Sequence, residues 1–275
     1  MKTYVLYHSK CYDGFGAAYS AWKKLGDTAE YIAVSYNYPL PAMDTNSMVY
    51  IVDFSYDRET MMGLCDRMNL VTVLDHHKTA EATFLDLEHP RLMAKFDMSK
   101  SGARMTWEHF HKDPVPQLIL HIEDRDLWLF KMDRSKEIHK ALVSYPMDFE
   151  LWDKFDVEQL KVEGVALERM YNQLVCNVCE GAWVGRIGAD DVPMVNTSIA
   201  WSEVGQEMLK RYPAYKYVAS FTDFEKEVMW SLRSREDFDC SDVAKTYGGG
   251  GHKQAAGFKQ RKPVDGTMWE FETRK

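Results

Sequence analysis

The sequence lacks three features that would each point to a particular class of protein: long hydrophobic runs, paired cysteines and an excess of basic residues. No apolar run approaches the ~18 residues that a membrane-spanning helix needs. The first residues also lack a charged leader followed by an apolar stretch, which is the pattern of a secretory signal peptide. We therefore expect a cytoplasmic protein with no membrane partner.

Cysteine is scarce, with five in 275 residues. An odd, scattered set argues against a disulfide framework and favours reduced thiols. Cys176 and Cys179 have CxxC spacing, but no second pair completes a zinc site. Apolar residues recur around them at helical intervals, so we expect both cysteines to pack along a helix.

Basic residues number 34 against 42 acidic ones, which gives a net charge of −8. Fourteen of each kind lie between Val184 and Lys275, so the first 183 residues carry the whole acidic excess. An acidic half differs from the basic face that binds long duplexes. It is suited to holding cations, although a solvated acidic surface explains the excess equally well.

The first half of the chain does contain a regular alternation of strand and helix patterns. The predicted strands are residues 3–7, 30–36, 47–54 and 70–77, and the predicted helices are residues 14–26, 57–68, 101–112 and 114–124. This βαβ rhythm predicts an α/β fold in which helices cover a parallel sheet.

Polar side chains collect where three of the four predicted strands end. They are His8, Cys11 and Asp13 after the first strand, Asp53 after the third, and Asp75, His76 and His77 after the fourth. One such strand end is ordinary solvated structure, but ligands bind beyond the carboxyl ends of parallel strands. Three ends rich in carboxylates and imidazoles therefore indicate one convergent metal site.

The second half begins with a helical pattern at residues 157–180, which we take as a linker. Residues 217–234 predict a pair of strands around a turn at residues 223–226. Near the end, four glycines precede His252 and Lys253 in YGGGGHKQAAGF. The backbone N–H groups of such a loop can approach a phosphate closely. A flexible linker is the alternative, but it would be flanked by polar filler.

Five segments follow one another in the order HSKCYDGFGAA, VYIVDFSY, VLDHHKT, HIEDRDLWLF and SLRS…DVAKTYGGGGHKQAAGF. In this order they resemble the motifs of the DHH/DHHA1 phosphoesterase family, over nearly the whole chain. The resemblance is to phosphodiesterases of the nanoRNase or oligoribonuclease kind, in a subgroup with cysteine in the first motif. It implies a Rossmann-like parallel-sheet DHH domain at residues 1–155, a helical linker at 156–183, and a smaller α/β DHHA1 domain at 184–275.

The resemblance also implies two divalent cations per chain, usually manganese, with magnesium or another divalent ion as alternatives. The resemblance implies His8 and Cys11 as ligands of the first ion, Asp13, His76 and Asp124 as ligands of the second, and Asp53 as a ligand of both. It implies that Asp75 orients these ligands and that His77 contacts the phosphate of the substrate. Oxygen and imidazole ligands suit manganese. Two cations ~3.5–4 Å apart acidify a shared water, whose hydroxide attacks phosphorus in line without a side-chain nucleophile.

Two positions leave the ligand set open. The family usually has aspartate where this chain has Cys11, which ligates as a thiolate, holds the first ion weakly, or has no metal role. Asp124 fits the fourth motif better than Asp126, and Asp126 is then expected to pair with Arg104 or Arg125. For the second domain, the resemblance implies a phosphate grip by Arg233, Gly249, Gly250, Gly251 and His252.

Together these features predict a manganese-dependent phosphodiesterase that cleaves short single-stranded oligonucleotides, or similar small nucleotides, in a cleft between its domains. A phosphatase for adenosine 3′,5′-bisphosphate and a phosphodiesterase for linear or cyclic dinucleotides share the same residues and remain alternatives. A nucleotide sensor without turnover is a third reading, since Cys11 departs from the usual ligand. A homodimer is also left open.

Overall fold

The computed structural model describes residues 1–35 and 38–262. It divides into two compact units, Met1–Glu168 and a second that begins at Arg169. Tyr36, the last residue of the second predicted strand, lies outside the described residues. The predicted domain boundaries, at residues 155/156 and 183/184, stay a prediction.

The first unit is built on a five-stranded sheet in the order β2-β1-β3-β4-β5. Its strands are β1 (Thr3–His8), β2 (Glu30–Val34), β3 (Met48–Val52), β4 (Leu70–Asp75) and β5 (Leu92–Phe96). Every neighbouring pair runs parallel, which confirms the predicted α/β class. The sequence pattern did not predict β5, because a half-exposed edge strand has no apolar run.

Helices connect these strands and continue after them. They are α1 (Tyr12–Leu25), α2 (Arg58–Arg67), α3 (Lys78–Phe84), α4 (Gly102–Phe110), α5 (Gln117–Asp126), α6 (Ser135–Val143), α7 (Phe149–Trp152) and α8 (Val157–Glu180), with a 3₁₀ turn at Gly26–Thr28. The helix α8 has the bounds that its periodicity predicts, and it starts in the first unit and ends in the second.

Small residues on α1 let α4 pack closely against it. A Cβ added at Gly16 would lie 3.0 Å from the Cβ of Ala103. The buried Ser20 hydroxyl donates to the carbonyls of Gly16 and Ala103, at 2.9 and 3.1 Å. This packing brings the start of α4 to the carboxyl end of the sheet, where the polar residues of the strand ends lie.

An aromatic core packs against α1. The indole of Trp152 is 1% exposed, and its ring centroid lies 4.7 Å from that of Phe15. Tyr12, Tyr19 and Phe155 also make aromatic contacts with the indole. Burying these aromatic rings stabilises the unit, because it removes a large apolar area from water.

The second unit is a six-stranded sheet in the order β10-β11-β9-β8-β7-β6. Its elements are β6 (Trp183–Ile187), β7 (Asp190–Asn196), α9 (Trp201–Arg211), β8 (Tyr217–Asp223), β9 (Glu227–Ser234), α10 (Cys240–Thr246), β10 (Gly250–His252) and β11 (Ala255–Arg261). The predicted β8–β9 hairpin is present, and β7 pairs with β8 in parallel through α9.

Cys179 is 3% exposed and packs in a core with Val204 and Val218, as its helical spacing predicts, whereas Cys176 is only partly buried. Among the helices of residues 1–35 and 38–262, none combines the length and the apolar character that a bilayer span requires.

Removing the Trp152 indole tests the aromatic core. Trp152→Ala should lower the free energy of unfolding by about 3–5 kcal/mol, because it leaves a cavity against Phe15. Leu85→Ala is the control, since Leu85 is 77% exposed and its loss should change stability by less than about 0.5 kcal/mol. Urea denaturation followed by circular dichroism measures both. A loss below about 1 kcal/mol for Trp152→Ala would contradict this assignment of the core.

Candidate metal centre

The carboxyl ends of β1, β3 and β4 lie side by side because these strands are consecutive and parallel in the sheet. His8 is the last residue of β1, Asp53 follows β3 directly, and Asp75 ends β4. Sheet order alone therefore brings the polar strand ends together, as the sequence predicts.

Asp53 is held in an uncommon backbone conformation. Its φ is +55°, in the left-handed region that favours glycine, at a cost of about 1 kcal/mol or more. Its N–H donates to the Leu74 carbonyl at 2.9 Å. Gly102 lies directly against it, since a Cβ added there would be 2.5 Å from the Asp53 Cβ. The carboxylate is 1% exposed.

The structure brings together three groups of potential metal ligands. They are His8, Cys11 and Asp53; Asp53, His76 and His77; and Asp13, His76 and Asp126, with the ligand atoms of each group within 4.8 Å of one another. Asp53 and His76 each belong to two groups. The His76 Nε2 lies 3.1 Å from Asp53 Oδ1 and 3.6 Å from both Asp13 Oδ2 and Asp126 Oδ2. The three groups are thus one continuous cluster, which can hold more than one ion.

Asp75 positions the two histidines that follow it. Its Oδ1 accepts hydrogen bonds from the His76 N–H at 2.7 Å, from the His77 N–H at 3.2 Å, and it lies 2.7 Å from His77 Nδ1. The carboxylate is fully buried. Asp75 is outside the three ligand groups, so its place matches a residue that orients ligands.

Asp13 ties α4 to the cluster. Its two oxygens accept hydrogen bonds from the N–H groups of Gly102 and Ala103, at 2.6 and 2.9 Å. These donors belong to the first turn of α4, where N–H groups have no partner within the helix. The same Oδ2 faces His76, so one carboxylate both anchors a helix and belongs to the ligand set.

Negative charge dominates this buried cluster. Burial, together with the neighbouring carboxylates, raises the pKa of Asp13 and of Asp126. Burial opposes protonation of His76, but its hydrogen bond to Asp53 and the nearby Asp126 and Asp13 raise its pKa to about 10. Contacts with the histidines, His76 first, lower the pKa of Asp53 despite its burial. Burial and the same carboxylates raise the pKa of the Cys11 thiol. Raised pKa values show that the excess of carboxylates favours added positive charge, as expected of a cation-binding site.

The structure places Asp126, and not Asp124, in the cluster. Both oxygens of Asp124 accept backbone hydrogen bonds, from Lys131 at 2.8 Å and Met132 at 3.1 Å, so this carboxylate caps a loop. Residues two apart point to different sides of a helix, so only one of the pair can face the metal centre. Arg104, an expected partner of Asp126, pairs with Glu108 and Glu123. The geometry therefore favours Asp126 as the ligand whereas the sequence motif favours Asp124, and the choice stays a prediction.

Arg233 of β9 is held within the second unit. Its guanidinium donates to the hydroxyls of Ser231 and Ser202, at 3.0 and 2.7 Å, and to the Leu232 carbonyl at 2.8 Å. Gly205 on α9 leaves room for its stem, since a Cβ there would lie 2.4 Å from the Arg233 Cγ. These contacts fix a guanidinium in one orientation, which suits a planar anion such as a carboxylate or a phosphate edge.

The run of four glycines is more ordered than the expected loop. The N–H groups of Gly248 and Gly249 donate to the carbonyls of Lys245 and Ala244 at the end of α10, so they are not available to a phosphate. Gly250 and Gly251 belong to β10, which ends at His252. A Cβ at Gly249 would lie 2.1 Å from the Gly257 carbonyl oxygen, and Gly251 has a φ of +138°. Close strand packing therefore explains Gly249 and Gly251 without a ligand.

A family model supports the resemblance seen in the sequence. The model described as the DHHA1 domain matches residues 192–265, which includes most of β7 and all of β8 through β11. The parallel sheet with an Asp75-His76-His77 cluster precedes it. The chain therefore contains a DHHA1 domain, and it is similar to the DHH/DHHA1 phosphoesterases.

One curated relative aligns with most of this chain. It is 30% identical over 280 residues to an uncharacterized protein of Acanthamoeba polyphaga mimivirus, with 92% of this chain aligned. The chain spans 66% of the length of that curated relative.

Solved structures share the fold at low identity. An exopolyphosphatase-related protein from Bacteroides fragilis has a TM-score of 0.52 at 14% identity and covers 97% of this chain and 87% of its own. RecJ from Thermus thermophilus, solved in complex with Mn2+, has a TM-score of 0.51 at 13% identity and covers 94% of this chain and 49% of its own. A DHH domain described as belonging to the s1p family of ribosomal proteins has a TM-score of 0.54 at 12% identity, with 94% and 82% covered.

Asp126 and Asp124 can be separated by one pair of variants. Asp126→Asn should lower manganese content and leave stability nearly unchanged, because it removes a charged ligand from the cluster. Asp124→Asn should lower the free energy of unfolding by about 1–3 kcal/mol, since it weakens a buried acceptor for the Lys131 and Met132 backbone N–H groups, and should retain the metal. Inductively coupled plasma mass spectrometry and urea denaturation measure the two quantities. Loss of metal from Asp124→Asn but not from Asp126→Asn would show that Asp124 is the ligand, as the sequence motif predicts.

Metal binding should also release protons. The raised pKa of His76 means that its imidazole holds a proton at neutral pH when no cation is present, and only the deprotonated ring can bind a metal. Manganese affinity should therefore rise with pH up to the pKa of about 10. Calorimetry in buffers of different ionisation enthalpy measures the protons released. An affinity that stays constant from mildly acidic to mildly alkaline pH would exclude this competition.

Proposed function

We propose that the first unit holds two divalent cations and that the protein hydrolyses phosphodiester bonds in short oligonucleotides. One observation carries the proposal: His8, Cys11 and Asp53 form one ligand group, Asp13, His76 and Asp126 form another, and Asp53 also contacts His76. A carboxylate placed between two ligand groups is what a pair of neighbouring cations needs.

The residues fit divalent cations on their own chemistry. The Asp53 Oδ2 accepts no hydrogen bond from any residue in the described part of the chain, although the side chain is 1% exposed. A buried carboxylate oxygen without a donor is costly unless a cation or a water completes it. Oxygen ligands with imidazole suit manganese, which is the ion in the Thermus RecJ structure. Manganese is therefore the ion that we assign to the carboxylate-rich group of Asp13, His76 and Asp126.

When bound, such cations acidify a water molecule and neutralise the phosphoryl oxygens. The side chains of this unit would hold and orient the reactants. Asp75 fixes the His77 ring through Nδ1. Burial opposes protonation of His77, but the hydrogen bond to Asp75 raises its pKa. The imidazolium so favoured can donate a hydrogen bond from Nε2 to a phosphoryl oxygen, so His77 is the residue that we expect to contact substrate.

A phosphate of the substrate is the anion that we assign to Arg233 and His252. The fixed fork of the Arg233 guanidinium supports this role. The residues from Val184 to the end of the chain balance 14 basic against 14 acidic side chains, which favours a short substrate over a long duplex. Within the glycine run, we assign the phosphate contact to Gly250, at the start of β10.

A substrate panel tests the activity. With manganese, a 5′-labelled trinucleotide should release mononucleotides steadily, and Asp53→Asn should lower turnover roughly thousandfold, about 4 kcal/mol of barrier. Adenosine 3′,5′-bisphosphate and linear and cyclic dinucleotides complete the panel, and each reports one alternative substrate. Binding of the trinucleotide without release would indicate a sensor. Turnover in Asp53→Asn above a tenth of the wild-type value would contradict the two-cation proposal.

Arg233→Ala should raise KM for the trinucleotide while manganese content stays at the wild-type level. A charged hydrogen bond contributes about 1.5–3 kcal/mol, or roughly ten- to over a hundredfold in kcat/KM. A small chromogenic phosphodiester should lose far less. Arg186→Ala is the matched control, an arginine of the same unit whose side chain is 41% exposed. Equal losses on the small and the extended substrate would show that Arg233 supports the fold.

A further inference from the structure

We infer that Cys11 binds the first cation through its sulfur, so that this position selects a thiophilic ion such as zinc or ferrous iron while the second position takes manganese. The inference rests on the proposed two-cation function and specifies its metal content.

Cys11 is partly buried, and its surroundings differ from those of the three buried cysteines. Cys65, Cys179 and Cys240 are each buried in a hydrophobic core, where a thiol packs as a small apolar group. Cys11 belongs to none of these cores and lies beside His8 and Asp53. A packing role, which explains the three core cysteines, does not explain a thiol among polar ligands.

The geometry around Cys11 is that of a ligand group. Its sulfur lies within 4.8 Å of the ligand atoms of His8 and Asp53. In a closed tetrahedral site, sulfur and nitrogen or oxygen donors lie about 3.5 Å apart, so a shift of about one ångström closes the group on an ion. Cys11 also precedes α1 without capping it through its side chain. Its position is therefore not explained by helix capping, for which serine, threonine or aspartate would serve better.

A second observation points to a cation at the same place. The Asp53 Oδ2 is buried, accepts no hydrogen bond within residues 1–35 and 38–262, and lies 3.7 Å from His8 Nδ1. This oxygen is therefore directed toward the Cys11 group, whereas Oδ1 of the same carboxylate faces His76. The two oxygens of Asp53 thus face different histidines, Oδ2 toward His8 of the first group and Oδ1 toward His76 of the second.

The two groups offer different donors. The first supplies imidazole, sulfur and one carboxylate oxygen, and the second supplies two carboxylates and one imidazole. Thiolate ligands favour zinc and other soft or borderline ions, whereas carboxylates suit manganese and magnesium. Different ions at the two positions follow from this difference in donor type.

Cobalt provides a readout that does not depend on activity. Protein stripped of metal and loaded with Co2+ should show the near-ultraviolet sulfur-to-cobalt charge-transfer band of a thiolate ligand. Cys11→Ser should lose the band and keep the far-ultraviolet circular dichroism of the folded chain. Cys176→Ser is the matched control, because Cys176 is also partly buried but belongs to no ligand group among the described residues, and it should keep the band.

Metal competition completes the test. Dialysis against a large excess of manganese over zinc should leave about one ion of each per wild-type chain, and Cys11→Asp should lower the zinc content, because a carboxylate does not supply the preference for zinc that sulfur does. No charge-transfer band in the wild type, or a band that persists in Cys11→Ser, would overturn the inference. Trinucleotide hydrolysis by a wild type without the band would leave the proposed function standing, whereas absence of any bound divalent ion would contradict both.

Discussion

The contact between His76 and Asp53 is the interaction on which the rest of the metal centre depends. At 3.1 Å it joins the ends of β3 and β4, and each residue also belongs to a second ligand group. Both side chains are almost fully buried, so their charges are poorly solvated and each needs the other or a cation. The surrounding contacts hold this pair in place and position further carboxylates next to it.

Three of these contacts come from outside the pair. Asp75 accepts hydrogen bonds from the backbone N–H groups of the two histidines, and Asp13 accepts them from the first turn of α4. Gly102, which has no side chain, allows that turn to approach Asp53. Asp13 therefore links helix position to ligand position, so that the packing of α4 on α1 is needed for the metal centre. The left-handed backbone at Asp53 fits the same picture, because local strain persists where surrounding contacts fix the residue.

Much of this centre is predictable from the sequence, because strand ends in a parallel sheet must meet at one edge. His8, Cys11, Asp13, Asp53 and the Asp75-His76-His77 triplet follow from that rule and lie together in the structure. The choice between Asp124 and Asp126 does not follow, since it depends on which side of α5 faces the sheet and on the loop that Asp124 caps. The glycine run shows the same limit. Its sequence predicts freedom of the backbone, but only strand packing shows that Gly249 and Gly251 are needed for close contact.

The central claim is that two divalent cations share Asp53, and electron paramagnetic resonance of bound Mn2+ tests it most directly. Manganese is titrated into metal-free protein to two equivalents per chain. We expect the spectrum of an exchange-coupled pair to replace the signal of isolated ions as the second equivalent binds, because in the proposed site Asp53 would contact both. A spectrum of two magnetically independent ions at saturation, or saturation at a single equivalent, would contradict the account.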